Sequence, residues 1–184
     1  MITFILIDER KQIPGIGEVM KLPLMEPSNE ALYAAKRAAI ENITTEYFSL
    51  LGGKDDILFP NFDFVYKQMI QDLDESGLDI ASAKERRDSN RIRSNLAYMH
   101  HGVICRTSAT KQLNLPISGC IHFETAVYSL LSKKGSILKN IEIYNWVSLK
   151  DDTILRNSTP WAIRNGYRLL AGEEILSVPA EYQD

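Results

Sequence analysis

Cysteine is scarce in this chain: of its 184 residues only Cys105 and Cys120 carry a thiol. Two thiols exclude a disulfide-framework fold, although this pair could bridge if the fold brought them together. Long apolar runs are missing too. The opening Met1–Ile7 is apolar, but Asp8-Glu9-Arg10-Lys11 follow it, with no basic leader and no small-residue cleavage site. It reads as a strand rather than an export signal or a membrane span, and the expected location is the cytoplasm. Nor is either charge in large excess. The 21 basic and 24 acidic residues give a formal net charge of -3, which excludes a protein that coats nucleic acid over its whole surface. Internal repeats, low-complexity tracts and heptad runs are absent, which excludes solenoids and coiled coils.

What is present is the composition of an ordinary globular protein, 45% hydrophobic and 24% charged. A chain of this length buries roughly 70% of its unfolded surface on folding and needs neither disulfide nor metal to do so. The length predicts a single domain over residues 1–184.

Residues 2–7 are β-branched and aromatic enough for a buried strand, and Pro14-Gly15-Ile16-Gly17 supplies a turn. From Ser28 to Leu51 the residues Leu32, Ala35, Ala39, Ile43, Tyr47 and Leu50 recur at helical steps, with Ser28 as cap and Gly52-Gly53 as stop. A second helix is expected from about Asn61 to Ser76, with Phe64, Val65, Met69, Ile70 and Leu73 on one side and Gly77 beyond its end. A third is expected from Ile80 to about Met99, striped by Ile92, Leu96 and Met99. A fourth spans residues 122–133, burying Phe123, Val127, Leu130 and Leu131 before Gly135.

Beyond it the period changes, because Ile141, Ile143 and Val147 alternate with Glu142, Tyr144 and Ser148 as in a half-buried strand. The alternation of Trp161–Leu169 around Asn165-Gly166 predicts a hairpin, with Pro160 opening an edge strand and Ile175–Val178 adding another. The expected architecture is α+β. It has an N-terminal strand, three to four amphipathic helices within about 28–133, and C-terminal antiparallel strands within about 137–178.

All the histidines and cysteines, His100, His101, Cys105, Cys120 and His122, fall within one short stretch. Thiolate and imidazole can supply a nucleophile and a base near neutral pH. Cys120 follows Ser118-Gly119 at the start of the fourth helix, where free amides and the helix dipole favour a thiolate, and His101 or His100 could take its proton. Tyr98-Met99-His100-His101-Gly102-Val103 and Cys120-Ile121-His122-Phe123 resemble the His-then-Cys order of the circularly permuted papain-like enzymes, a resemblance that implies acyl transfer, hydrolysis or deamidation. Against this stands the ordinary behaviour of free cysteine as a small buried hydrophobe. His101, Cys105, Cys120 and His122 also offer four nitrogen and sulfur donors, but their spacing is not that of a zinc knuckle, and no metal or cofactor is expected.

Residues 84–93 hold the one concentrated basic segment. Read as a helix, they put Lys84, Arg87 and Arg91 on one face, suited to a local anionic partner or simply to solvent. Arg93 and His100 are similar in spacing to the Arg-x4–6-His signature of the HEPN ribonucleases, which implies RNA cleavage by those two residues. The polar segment Val178–Asp184 carries Tyr182, an aromatic able to anchor on another subunit, and Tyr144 and Trp146 are further candidates for contact. Taken together these features favour a non-enzymatic assembly subunit. It would belong to a homo-oligomer or a larger particle such as a virion or injection machine, binding other protein subunits through Lys84, Arg87, Arg91, Tyr144, Trp146 and Tyr182. The competing reading is a small cysteine/histidine enzyme centred on Cys120.

Overall fold

A run such as Ile2-Thr3-Phe4-Ile5-Leu6 offers no polar face to water, and a strand covered on both sides is the structure that hides all of it. In the computed structural model, which describes residues 1–7, 12–22, 29–52, 57–87, 91–93, 102–116, 121–146, 159–177 and 179, this run is β1 (Ile2–Leu6), buried throughout. β2 (Glu18–Lys21) lies parallel along one side of it, with Gly17 turning at φ 79° just before. β3 (Tyr47–Leu51) lies parallel along the other.

The remaining strands are β4 (Ile57–Leu58), β5 (Ile80–Arg87), β6 (Arg91–Arg93), β7 (Val103–Arg106) and β8 (Ile137–Trp146). They complete a mixed sheet in the order β2-β1-β3-β7-β5-β8-β4, with β6 paired to β5. β7 runs against β3 and β5, and β5 is parallel to β8, so β1, β2, β3, β5 and β8 all point the same way.

Period-two alternation divides the strand side chains between two cores. On one face Ile5, Phe48, Leu50, Val103 and Cys105 pack with α1 (Asn29–Asn42) and α4 (Phe123–Leu131). On the other, Phe4, Leu6, Tyr47, Leu51, Ala81 and Ile104 pack with α2 (Phe62–Ser76). Two further α-helices, α3 (Thr107–Lys111) and α5 (Thr159–Ala171), and a short 3-10 turn at Ser132–Lys134 complete the described elements, and α5 contacts α4. α1, α2 and α4 each carry the chain back to the start of a strand of the parallel set, so their N-termini lie towards the carboxyl ends of those strands.

The α+β class, β1, α2 ended by Gly77 at φ 68°, α4 and β8 match the sequence expectation. Elsewhere the helical period misleads. The expected helix from Ser28 to Leu51 is α1 followed by β3, because Tyr47–Leu51 pairs along its whole length with β1 and is buried at every residue, as a strand covered on both faces is. The expected third helix is instead β5 and β6. Ile80, Ala81, Ser82 and Ala83 are all buried between β7 and β8, and sheet pairing outweighs a charge pattern that suits an exposed helix.

The hairpin expected at Asn165-Gly166 is the middle of α5. Pro160 sits in its first turn, where a missing N–H costs nothing, and Leu169 packs into the α1/α4 core. Asn165 is fully buried and uses its amide twice, donating to the Leu176 carbonyl and accepting from the Leu176 N–H, both at 2.8 Å. That pairing holds residues 175–177 as an irregular segment rather than the expected strand. Phe64, assigned to the buried side of the second helix, is 62% exposed.

Candidate functional site

β1 is where the direction of winding reverses: the chain leaves it for β2 on one side and returns through α1 to β3 on the other. At such a switch point two connections leave the carboxyl edge in opposite directions, and the gap between them is the usual ligand crevice of an open α/β sheet. Here the edge is formed by the ends of β1 and β3 at Leu6 and Leu51, and the N-termini of α1, α2 and α4 face the same side. Helix N-termini present unpaired amides and a partial positive charge, so the edge favours an anion.

The connections that follow β1 and β3 are latched together. Leu58 donates its backbone N–H to Gln12 Oε1 at 2.8 Å. Gly15 donates its N–H to both carboxylate oxygens of Asp63, at 3.2 Å to Oδ1 and 3.0 Å to Oδ2. A side chain at position 15 would put its Cβ 2.5 Å from Asp63 Oδ2, so glycine is what lets the loop approach the first turn of α2.

On the other face α1 and α4 meet through a buried ion pair between Lys36 Nζ and Glu124 Oε1, with side-chain exposures of 7% and 6%. Beside it, the Tyr33 ring stands edge-on to Phe123 with centroids 5.3 Å apart, and its hydroxyl donates to the Pro116 carbonyl at 2.6 Å. Burial, opposed by Arg37, pushes the Tyr33 hydroxyl up to about 12. The pair ties the middle of α1 to the first turn of α4 away from water.

The sequence candidates fall in three places. Cys120, His100, His101 and Tyr182 lie outside the described residues. Cys105 and His122 are buried, at 1% and 5% exposure, and burial, aided by the Asp79 charge, holds the Cys105 thiol well above its ordinary value. Cys105 is a core residue of β7, and no group of three or more metal-ligating side chains occurs among the described residues.

Lys84, Arg87, Arg91 and Arg93 lie on strands, so the helical face expected of them does not exist, and Arg93 is not on the helix that a HEPN site requires. The sheet gathers them differently. Arg87 is in register with Arg91 on β6 and with Trp146 on β8, and Glu85 with Tyr144, so four of the candidate positions converge at the carboxyl ends of β5 and β8. The segment Gly52-Gly53-Lys54-Asp55-Asp56 reads in the sequence as the stop of a helix and a turn that lacks the frame of a P-loop. Its position directly after a central parallel strand, which would have singled it out, depends on recognising β3.

No protein-family model matches the sequence, and no curated protein matches it. Solved structures do match the fold. A residue 1–349 fragment of S. aureus TarS, a glycosyltransferase, is similar with a TM-score of 0.57 at 9% identity, over 92% of this chain and 72% of that one. The same fragment in complex with UDP-GlcNAc gives a TM-score of 0.54 at 13% identity, over 89% of this chain and 52% of that one. TarS itself gives 0.55 at 10% identity, over 93% and 39%. At these identities the likeness shows a shared fold, and this chain spans about two-fifths to seven-tenths of the chains it matches. The relative is an enzyme, and nothing in the comparisons supports a virion or assembly role.

Proposed function

We propose that this protein binds a nucleoside-diphosphate sugar at the carboxyl edge of β1 and β3 and transfers its glycosyl group to a hydroxyl acceptor. The observation that carries this reading is the switch point at β1 within a fold resembling that of S. aureus TarS, one of whose structures holds UDP-GlcNAc. Three supports come from the chain itself. The N-termini of α1, α2 and α4, which face the carboxyl edge, favour an anionic group such as a diphosphate there. Arg87 at the carboxyl end of β5, in register with Arg91 at the start of β6, adds positive charge on the same edge. Asp55 and Asp56, which follow β3 in the sequence, have the oxygen chemistry that a divalent cation shares with substrate phosphates.

In the transfer, the acceptor oxygen bonds to the anomeric carbon while the bond from that carbon to the diphosphate oxygen breaks. The diphosphate leaves with the electron pair, and the acceptor proton passes to water. Calorimetric titration of the protein with UDP-GlcNAc, with and without Mg2+, tests the binding step. The expected result is a dissociation constant below about 1 mM, corresponding to about -4 kcal/mol. Asp55→Asn with Asp56→Asn should weaken it at least about tenfold in the presence of Mg2+. No heat of binding with UDP-GlcNAc, UDP or other nucleoside-diphosphate sugars in either condition overturns the reading.

A further inference from the structure

The connection that follows β3 ends on a rigid base. Ile57 and Leu58 pair as β4 with Asn145 and Tyr144 of β8, Phe59 donates its N–H to the Ile143 carbonyl at 2.9 Å, and Asn61 Nδ2 donates to the Glu142 carbonyl at 3.3 Å. The segment then enters α2, whose Phe62, Val65, Tyr66 and Met69 are buried in the core. Residues 57–63 are therefore fixed to β8 on one side and to the core on the other.

The connection that follows β1 has less of its own to hold it. β1 is tied to β3 as far as Ile7, whose N–H reaches the Leu51 carbonyl at 2.8 Å. Further on, Gln12, Ile13, Gly15 and Gly17 are exposed, and of this stretch only Pro14 is buried. A segment with so little buried apolar surface owes its conformation to its hydrogen bonds. Those that join it to the base are the Gln12 carboxamide accepting from Leu58 and the Asp63 carboxylate accepting from Gly15 on both oxygens. An ionised acceptor makes the second of these the stronger. The two contacts set where the chain after β1 stands relative to the chain after β3, and hence the shape of the crevice at the switch point between them.

We infer that Gln12 and Asp63 are positioning residues for the nucleotide-sugar site, acting through the connection after β1 rather than by contact with substrate. The inference rests on the glycosyl-transfer reading for the identity of the ligand. Apparent affinity scales with the fraction of molecules in the binding arrangement, so losing a contact that maintains the arrangement weakens binding by that factor while every group that meets the ligand is kept.

The test uses the full chain, with calorimetric titration of UDP-GlcNAc and amide exchange at Gly15 and Leu58 by NMR as readouts. Asp63→Leu and Asp63→Asn are similar in size and remove the same charge from the first turn of α2, but Asp63→Asn keeps a carbonyl oxygen that can accept from Gly15. Asp63→Leu should bind UDP-GlcNAc at least about tenfold more weakly and exchange the Gly15 amide faster, whereas Asp63→Asn should stay within about threefold of the wild type. Gln12→Met, at an exposed position that leaves the core intact, should weaken binding several-fold and speed exchange at Leu58. Leu138→Ser, on the exposed part of β8, should change neither readout. Wild-type affinity in both Asp63→Leu and Gln12→Met overturns the inference, and so does an Asp63→Asn as weak as Asp63→Leu, since the charge and not the contact would then matter. UDP-GlcNAc binding by the wild type with such variants sinks the positioning role alone. Failure of the wild type to bind any nucleoside-diphosphate sugar sinks the glycosyl-transfer reading and the positioning role with it.

Discussion

Lys36→Met is the perturbation most sensitive to the packing of α1 on α4. The variant keeps the stem that fills the core and removes the ammonium group facing Glu124, whose side chain is only 6% exposed. A carboxylate stripped of its cation in such surroundings must stay ionised in a poor solvent or take up a proton, and breaking buried pairs in this way typically costs about 3–5 kcal/mol. At a urea dependence of about 2–3 kcal/mol per molar, the unfolding midpoint should fall by about 1–2 M. Lys36→Met with Glu124→Gln removes both charges at similar volume and should recover much of that loss, giving a large coupling energy in the double-mutant cycle. The reasoning is refuted if Lys36→Met costs less than about 1 kcal/mol, the range of a solvent-exposed pair, or if the two substitutions simply add.

Other expectations follow from burial and hydrogen bonding. Tyr33 is raised from 10.0 to about 12, so its folded form holds a proton that the unfolded chain releases earlier. Its contribution is complete below pH 10 and is lost as pH rises towards 12. Urea midpoints measured across that window should decline, and the decline should be shallower in Tyr33→Phe. Cys105, fully buried with its thiol pushed up, should stay unmodified by iodoacetamide at pH 8 in the native protein and become alkylated in urea, as read by peptide mapping; native labelling of this residue refutes its assignment to the core. Asn165→Ala removes both bonds to Leu176, should cost about 2 kcal/mol, and should expose residues 172–177 to limited proteolysis before global unfolding; an unchanged cleavage rate counts against the clamp.

What the sequence discloses is set by how local its cause is. α2 and α4 were legible because their apolar spacing and the glycines beyond them act within a few turns. β3 was not, since Tyr47 and Leu50 fit a helical step as well as a strand. The arbiter was burial on both faces between β1 and β7, which only the assembled sheet supplies. Asn165-Gly166 failed for the opposite reason. The turn preference of that dipeptide is local and real, but Asn165 spends its amide on Leu176, eleven residues on, and the packing of α5 on α4 overrides the preference.

The same distinction governs the site. Histidine and cysteine drew the sequence reading because their chemistry belongs to single residues, yet of the two described Cys105 is a core position and His122 is buried at the start of α4. The carboxyl edge has no such signature. Its components are a strand end at Leu51, a latch between Gly15 and Asp63 across 48 residues, and the N-termini of three helices that point to the same side from both faces of the sheet. None of these has a chemical meaning until β2 and β3 are known to lie on opposite sides of β1. A binding edge made from topology therefore depends on its loop geometry, and Gly15→Ala, which drives a Cβ against Asp63, should weaken UDP-GlcNAc binding in calorimetric titration more than Leu138→Ser on the exposed part of β8 does.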